Sequence, residues 1–377
     1  MKIGIVCPYN LYRPGGVLVQ IKAHQKELQR LGHDVTLIAP KPRGFTGEPE
    51  PGVVLVGTST ELNTPFKTKA DISIHAGLYE IGKFLKEEQF DILHFHEPWI
   101  PMLPMQILNA STSVNVATFH AKMPGMRIYK AIGKAITPYT KSIIKKLDYM
   151  VGVSETATMY LNTLVDEPVE IIPNSIDLKV FDPEKTSIVR RYDDDLKTIF
   201  YMNRLEKRKG PDLLLKAYKE LVEEHDDLRL IMASDGDMRK ELEVYVAAYD
   251  LPNVEFLGFI SDEEKLQLYK TADVYCSPAP YGESFGLVML EAMAMQTPLV
   301  AGDNPGYQVP LGDRAKDYLV DPTITSVLVK RLEDMIYDED KRRRYIEWSR
   351  KEASKYSFTT TVAQYESIYK KLLKGKK

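Results

Sequence analysis

The chain has 377 residues, 44% apolar and 27% charged. That is an ordinary globular balance, and at roughly 100–200 residues per domain it leaves room for two domains, each burying its own core. A formal net charge of −3 exerts no global pull toward nucleic acid or anionic lipid, so a basic partner surface has to be local, and two distant cysteines, Cys7 and Cys276, exclude a disulfide framework and read as buried thiols in a reducing compartment.

The first apolar run, Ile3 to Cys7, stops at Pro8-Tyr9-Asn10. It is shorter than the roughly 7–15 residues of a signal-peptide core and reads as a buried parallel strand. Gly15-Gly16 follow in a loop, and Val17, Ile21, Leu28 and Leu31 then recur at helical spacing until Gly32. Val35 to Ala39 is a second strand, the opening of a doubly wound sheet. Ile92–Phe95, Val114–Phe119 and Tyr149–Val153 continue the strands; Ser154 is placed to cap a helix, and Glu170-Ile171-Ile172 runs into the turn signal Pro173-Asn174. The stretch from Asp177 to Asp195 is charge-rich without a clean period, and the hinge is expected near 175–195.

The same grammar then restarts. Thr198–Met202, Leu228–Ala233, Val254–Leu257, Val274–Cys276 and Leu299–Ala301 read as strands, with a helix over Asp212–Glu224. Both halves are βαβα with parallel sheets, which places the chain in the α/β class. The expected domains are residues 1–177 and 178–358. A last helix from Thr359 to Lys374 carries Val362, Tyr365, Ile368, Tyr369 and Leu372 on one face, a stripe suited to packing back on the first domain. No run of about 18 uncharged apolar residues occurs without proline breaks, so no membrane-spanning helix is expected. The expected location is cytoplasmic, with peripheral contact at the inner membrane face left open.

Five features carry chemistry. The first is Gly282-Glu283-Ser284-Phe285-Gly286-Leu287, a loop after a strand that runs into a helix beginning near Gly286. Amides at a helix start attract anions, so a diphosphate fits there. That helix is apolar all round from Leu287 to Met295 except for Glu291. A buried carboxylate needs a partner, and ribose hydroxyls or a structural Arg or Lys both serve.

The second is Asn203-Arg204-Leu205-Glu206-Lys207-Arg208-Lys209-Gly210, at the carboxyl edge of a strand, where open sheets bind ligands. Its cations can hold a diphosphate and neutralise a leaving nucleotide, or they can form a solvated basic loop. The third, Pro14-Gly15-Gly16-Val17, lets the backbone approach a phosphate closely or makes a plain structural turn, and lacks the glycine fingerprint of dinucleotide sites. The fourth is a set of strand-end histidines, His94, His96 and His120. His96-Glu97 has the form of a metal pair, but no third ligand at metal spacing is evident and no metal is expected; His120 is well placed to bond a sugar hydroxyl.

The fifth is local charge. Lys122, Arg127, Lys130, Lys134, Lys141, Lys145 and Lys146 lie in a stretch without acids, interleaved with Ile128, Ile132, Ile136, Ile143 and Ile144. The pattern suits either a surface resting on anionic lipid or an ordinary helix with its apolar face in the core. Asp235-Gly236-Asp237 has the Asp-x-Asp form of metal-dependent transferases but follows a strand as a turn does.

Together these features resemble glycosyltransferase family 4, over nearly the whole chain. The family's paired glutamates, E-x7-E, are met by Glu283 and Glu291, its Arg–Lys pair by Arg204 and Lys209, its glycine loop by Gly15-Gly16, its strand-end histidine by His120, and its Pro-Asn turn by Pro173-Asn174-Ser175-Ile176-Asp177. Within the family the chain most resembles bacterial phosphatidylinositol mannosyltransferases, through Cys7-Pro8-Tyr9, Pro14 to Val17, His94 to Pro98, Ala117 to His120 and Gly282 to Gly286. The resemblance implies a GT-B fold, two Rossmann-like domains facing across a cleft, the first binding acceptor and the second the nucleotide sugar.

It also implies a retaining hexosyl transfer that needs no metal and no cofactor beyond the co-substrate. The donor would be a nucleoside-diphosphate sugar, GDP-mannose first, and the acceptor a lipid-linked polyol or glycan. Arg204 and Lys209 would hold the diphosphate with the amides of Gly286 and Leu287. Glu283 would hold the donor sugar and Glu291 the ribose, within a donor loop that includes Ser284 and Phe285. His120 would contact the sugar, and Gly15-Gly16 would lie beside the diphosphate.

Gln20, Asn203, Ser175 and Ser234-Asp235-Gly236 depart from the mannosyltransferase pattern, the 204–209 stretch is one residue shorter, and the basic cluster expected over 76–88 is reduced to Lys83 and Lys86 against three glutamates. These departures leave the transfer residues intact and bear on inositol-lipid specificity. The competing readings are a GT-B nucleotide-sugar epimerase or hydrolase, a phosphorylase, a non-catalytic nucleotide-sugar binder and, more distantly, a nicotinamide dehydrogenase.

Overall fold

The computed structural model describes residues 1–13, 15–63, 69–75, 77–121 and 137–375, with backbone alone over 59–63 and 69–75. The chain forms two compact units, Met1–Asn174 with Phe358–Lys377, and Ser175–Ser357.

The first unit runs β1 (Lys2–Val6), α1 (Gly16–Arg30), β2 (Asp34–Lys41), β3 (Val53–Asn63), β4 (Lys69–His75), α2 (Leu78–Glu88), β5 (Ile92–His96), α3 (Leu103–Ala110), β6 (Val114–Phe119), β7 (Tyr149–Gly152), α4 (Glu155–Thr158) and β8 (Glu170–Ile171). A further helical stretch covers 137–144. The sheet order is β4-β3-β2-β1-β5-β6-β7-β8. Every pairing is parallel except β3 with β4.

Helices cover both faces, so successive residues of each central strand enter different cores. Ile3, Ile5, Leu37 and Val116 pack with Leu18, Ile21 and Leu28 of α1. Val6, Ile38, Leu93, Phe95 and Ala117 pack with Ile81 of α2 and with Leu103 and Ile107 of α3. Ser154 Oγ accepts from the Ala157 amide and caps α4, as its sequence position suggests, although that helix lasts a single turn. Strands β3 and β4 were not expected from the sequence.

The second unit runs β9 (Lys197–Met202), α5 (Pro211–Glu224), β10 (Leu228–Ala233), α6 (Arg239–Ala248), β11 (Val254–Gly258), α7 (Asp262–Thr271), β12 (Val274–Ser277), α8 (Leu287–Ala294), β13 (Leu299–Gly302), α9 (Pro305–Leu311), α10 (Ala315–Tyr318), β14 (Leu319–Val320), α11 (Thr325–Tyr337) and α12 (Glu339–Ala353). Its sheet order is β11-β10-β9-β12-β13-β14, parallel throughout. This is the 3-2-1-4-5-6 order of a Rossmann sheet, with its switch point between β9 and β12. Setting β4 aside, the first sheet has the same order extended by β8 as a seventh strand, with its switch point between β1 and β5.

The last helix, α13 (Phe358–Gly375), belongs to the first unit. Val362, Tyr365 and Tyr369 enter the core beside β1 and α1, with Ile368 and Leu372 packed on it. The units divide between Asn174 and Ser175, ahead of the boundary at 177 expected from sequence. The reason is local pairing: the Ile176 amide donates to Tyr356 O, and Ile176 bridges Ser357, so residues 175–177 are held by the segment that returns toward α13.

Candidate active site

The candidate residues fall in both units. In the second unit the two loops at the sheet's switch point, 203–210 after β9 and 278–286 after β12, carry most of them. Asn203 ties the two strand ends together: its side-chain amide donates to Ser277 Oγ at 2.9 Å and to the Tyr275 hydroxyl at 3.2 Å. Leu205 is pinned from the other side, its amide donating to Asp235 O while its carbonyl accepts from Met238. Asp235-Gly236-Asp237 is therefore a structural turn against the 203–210 loop, as the sequence position suggests.

A single 3-10 turn, Lys207–Lys209, closed by Gly210 in the left-handed region, aims two consecutive cations at one carboxylate. Lys209 Nζ lies 2.7 Å and Arg208 Nη1 3.0 Å from Glu283 Oε1. Arg208 Nε also reaches Glu206 Oε2 at 3.1 Å, and Arg204 Nη1 reaches Glu206 Oε1 at 2.9 Å. Three cations thus face two carboxylates, an excess of positive charge suited to an anionic ligand.

Burial pushes the Glu283 carboxyl up, but Lys209, Arg208 and Arg204 outweigh it and hold it below its ordinary value. Burial pulls the Lys209 ammonium below its ordinary value against the opposing Glu283 charge, and burial likewise lowers Arg204 against Glu206. Arg208 is the residue that sequence reasoning left among the loop's cations. Within a run of charges nothing local distinguishes it; the turn that places it on Glu283 does.

Helix α8 starts from Gly286 at φ +86°. A Cβ there would stand 2.5 Å from the Tyr307 ring, so the position takes only glycine, and the following amides open the helix. Glu283 is held from behind by Gly306 in the first turn of α9, whose Cα approaches so closely that a Cβ would lie 2.5 Å from the Glu283 carbonyl. Phe285 is buried and packs edge-on against Tyr356, so its side chain belongs to the core. Ser284 and Leu287 sit on either side of the Phe285-Gly286 turn, with Leu287 half-buried.

Glu291 lies on α8, 3.0 Å from the Tyr269 hydroxyl and 3.7 Å from Lys265 Nζ. Burial raises its carboxyl despite Lys265 and Tyr269. The protein therefore supplies partners to this carboxylate, which still keeps 18% of its side chain exposed.

In the first unit Gly15 precedes α1 with φ −179° and nothing within 4 Å of a would-be Cβ, and Gly16 opens the helix. Neither dihedral nor packing demands glycine at 15. Pro14 lies outside the described residues.

His120 follows β6 and is buried, with Nε2 2.8 Å from His96 Nδ1. The amides of His120 and Ala121 both donate to Glu97 Oε1 at 2.5 Å. Burial lowers the His120 imidazole to about 4 against Asn174, so it presents a neutral ring. Burial also raises Glu97 to about 7 in spite of the amides it accepts from. The third histidine that the sequence spacing did not provide is present in space: His24, from α1, sits with His94 and His96.

Of the basic stretch, Lys122, Arg127, Lys130 and Lys134 lie outside the described residues, as do Ile128, Ile132 and Ile136. Lys141, Lys145 and Lys146 are exposed, while Ile143 is in the core with Ile144 packed on it. No helix among the described residues is long and apolar enough to cross a membrane. Cys7 and Cys276 are both free and buried.

A family model described as Glycosyltransferase Family 4 matches residues 14–180, and one described as Glycosyl transferases group 1 matches 184–352. A phosphatidyl-myo-inositol mannosyltransferase of Mycolicibacterium smegmatis is 30% identical, over 98% of this chain and 93% of its own length. Among solved structures, sucrose-phosphate synthase from Thermosynechococcus elongatus superposes with a TM-score of 0.78 at 19% identity, covering 99% of both chains. Anabaena Alr3699/HepE, solved with UDP and glucose, superposes at 0.76 and 18% identity, covering 98% of this chain and 100% of that one. Two Rossmann units matched by these models, with a 30% identical relative along nearly the whole length, make this chain a GT-B glycosyltransferase of family 4.

Proposed function

We propose that this glycosyltransferase moves a hexose, mannose from GDP-mannose as the first assignment, onto a hydroxyl of a lipid-linked or glycan acceptor, with retention of configuration and without a metal. The observation that carries the reading is the Lys209–Glu283–Arg208 cluster at the switch point of the second sheet. A nucleoside diphosphate leaves with a growing negative charge, and preorganised cations stabilise that charge without reorganising. Arg204 and Lys209 take this role, helped by the amides of Gly286 and Leu287. Glu283, oriented by Arg208, accepts from donor-sugar hydroxyls, and Glu291 accepts from the ribose.

In the first unit, the neutral imidazole of His120 is suited to a sugar hydroxyl, and the Gly15-Gly16 backbone, open at Gly15, to a diphosphate. In the transfer the bond from the anomeric carbon to the phosphate oxygen breaks, its electron pair leaving with the nucleotide. The acceptor oxygen bonds to that carbon on the same face, and its proton leaves with the departing phosphate. The mannosyltransferase names of relatives at 28–30% identity support the choice of sugar and of a lipid-linked acceptor.

A thermal-shift screen with GDP, UDP, ADP and their sugar conjugates tests the donor. A nucleotide at about 100 times its dissociation constant stabilises by about 2.7 kcal/mol, and Glu283→Ala is expected to abolish transfer while the protein stays folded. Lack of response to any nucleotide, or near-normal turnover in Glu283→Ala, overturns the assignment. Consumption of donor at full rate without acceptor favours an epimerase or hydrolase.

A further inference from the structure

Four of the seven histidines, His24, His94, His96 and His120, form one buried cluster in the first unit. His94 and His96 project from the same face of β5, His24 comes from α1, and His120 from the end of β6. Ring centroids are 4.5 Å apart for His94 and His96, 5.1 Å for His24 and His94, and 6.1 Å for His24 and His96. One nitrogen from each of these three rings lies within 4.8 Å of the other two.

The hydrogen bonds of the cluster leave a specific remainder. His94 Nδ1 is 2.6 Å from the Tyr369 hydroxyl, and Nε2 is 2.7 Å from Thr118 Oγ1. His96 Nδ1 faces His120 Nε2. His24 Nε2 and His96 Nε2 are fully buried with no hydrogen-bond partner, as is Nδ1 of His120. An unpaired buried polar atom is costly, and native proteins seldom tolerate one without a ligand, ion or water. Two on neighbouring rings, beside a third imidazole, mark a place where something with affinity for nitrogen lone pairs binds.

We propose that His24, His94 and His96 bind one divalent transition-metal ion of the zinc class, His24 and His96 through Nε2. The chemistry of the donors selects the ion: an all-imidazole set suits Zn²⁺, Co²⁺, Ni²⁺ or Cu²⁺ and offers nothing to the oxygen-seeking Mg²⁺ or Ca²⁺. His94 joins through Nε2 by giving up Thr118, whose hydroxyl keeps the Tyr365 hydroxyl at 3.0 Å. Its Nδ1 keeps Tyr369 as the outer partner that orients a metal-bound imidazole.

Metal–nitrogen bonds of about 2.0–2.1 Å in a tetrahedron set the nitrogens about 3.3 Å apart, so the rings close on the ion by small rotations. Burial lowers all three imidazoles, His24 to about 3, and so keeps them in the neutral form that ligates. The ion ties α1 to β5. With Nε2 on the metal, His96 carries its proton on Nδ1 and donates to His120 Nε2. No step of sugar transfer passes through the ion.

The test uses the full chain, purified from cells grown with added zinc and, separately, stripped with a chelator and reloaded with Zn²⁺. Bound zinc is measured by mass spectrometry after gel filtration, and thermal unfolding with and without zinc is compared. The expected result is about one zinc per chain, with a rise in Tm. His24→Phe combined with His96→Phe lowers retained zinc at least about tenfold, the loss of two of three ligands. The same variant abolishes the Tm rise.

His24→Gln is the milder variant should the double one not fold. His225→Ala, which removes the imidazole from the separate Glu224–His225–Glu333 group, is expected to keep both zinc and shift. Zinc retained equally by the double variant, zinc lost in His225→Ala, or no zinc and no shift in the wild type overturns the proposal; the last outcome assigns the space to a buried water.

Discussion

Gly306→Ala perturbs the 278–286 loop without altering any candidate ligand. The added methyl would stand 2.5 Å from both the carbonyl carbon and the oxygen of Glu283 and 2.9 Å from its Cβ. Non-bonded heavy atoms settle at about 3.5–4.0 Å, so the loop retreats by about 1 Å. Backbone lines the contact, so no flexible side chain can turn away.

Two effects follow. Overpacking of this kind costs about 1–3 kcal/mol, which in a unit of this size lowers Tm by about 2–4 °C per kcal/mol. Moving Glu283 stretches its 2.7 Å contact with Lys209 and its 3.0 Å contact with Arg208, and about 1 Å of misplacement costs up to about 100-fold in rate. The assay is steady-state transfer with the donor named by the nucleotide screen, alongside thermal unfolding of the same preparation. A variant that melts lower but keeps the wild-type kcat/KM refutes the argument that this contact positions Glu283.

Arg208→Ala leaves Lys209 alone on Glu283; loss of a charge-assisted bond costs about 1.5–3 kcal/mol, so kcat/KM is expected to drop about 10–100-fold, and an unchanged value removes Arg208 from the positioning role. In the proposed role Lys209 acts protonated, and burial holds it below its ordinary 10.5. Activity is therefore present below its folded-state pKa and lost as pH rises through it, giving an alkaline limb of kcat/KM below pH 10.5. Lys209→Arg removes that limb because guanidinium stays charged, and a limb that survives refutes the assignment. Reversing Lys141, Lys145 and Lys146 to Glu weakens binding to anionic vesicles by several kcal/mol if they lie on lipid, at about 1 kcal/mol per basic residue; unchanged cosedimentation leaves them an ordinary exposed face.

The alternation of strand and helix is legible in the residues because a doubly wound sheet buries its strands on both faces. Val114–Phe119 and Leu228–Ala233 are mostly apolar runs, broken only by Asn115, Thr118 and Arg229, and the structure bounds them at the same residues. Strands β3 and β4 escaped that reading. The opening of β3, Val53-Val54-Leu55-Val56, is an apolar run like the others and went unread; its remainder, residues 58–63, and the edge strand β4 offer no sustained apolar run. An edge strand is specified by pairing with its neighbour as much as by its own pattern. The two Rossmann units are likewise inferable from local grammar, whereas the boundary at 174/175 follows from a backbone pairing between Ile176 and Tyr356, 180 positions apart.

What the sequence by itself determined was the type of each element and the residue types gathered at strand ends: Arg204 and Lys209 after one strand, Glu283 before a helix, His120 after another. Those follow from short-range spacing, since hydrophobic period and turn chemistry are properties of neighbours along the chain. Only the tertiary structure decided which of them meet. Lys209 and Arg208 converge on Glu283 because β9 and β12 adjoin at the switch point, so loops some 75 residues apart share one place. His24 joins His94 and His96, and Tyr369 bonds His94, because α1 and α13 pack on the same face of the sheet beside β5. Strand order and packing face bring such groups together, and neither is written in any local stretch of residues.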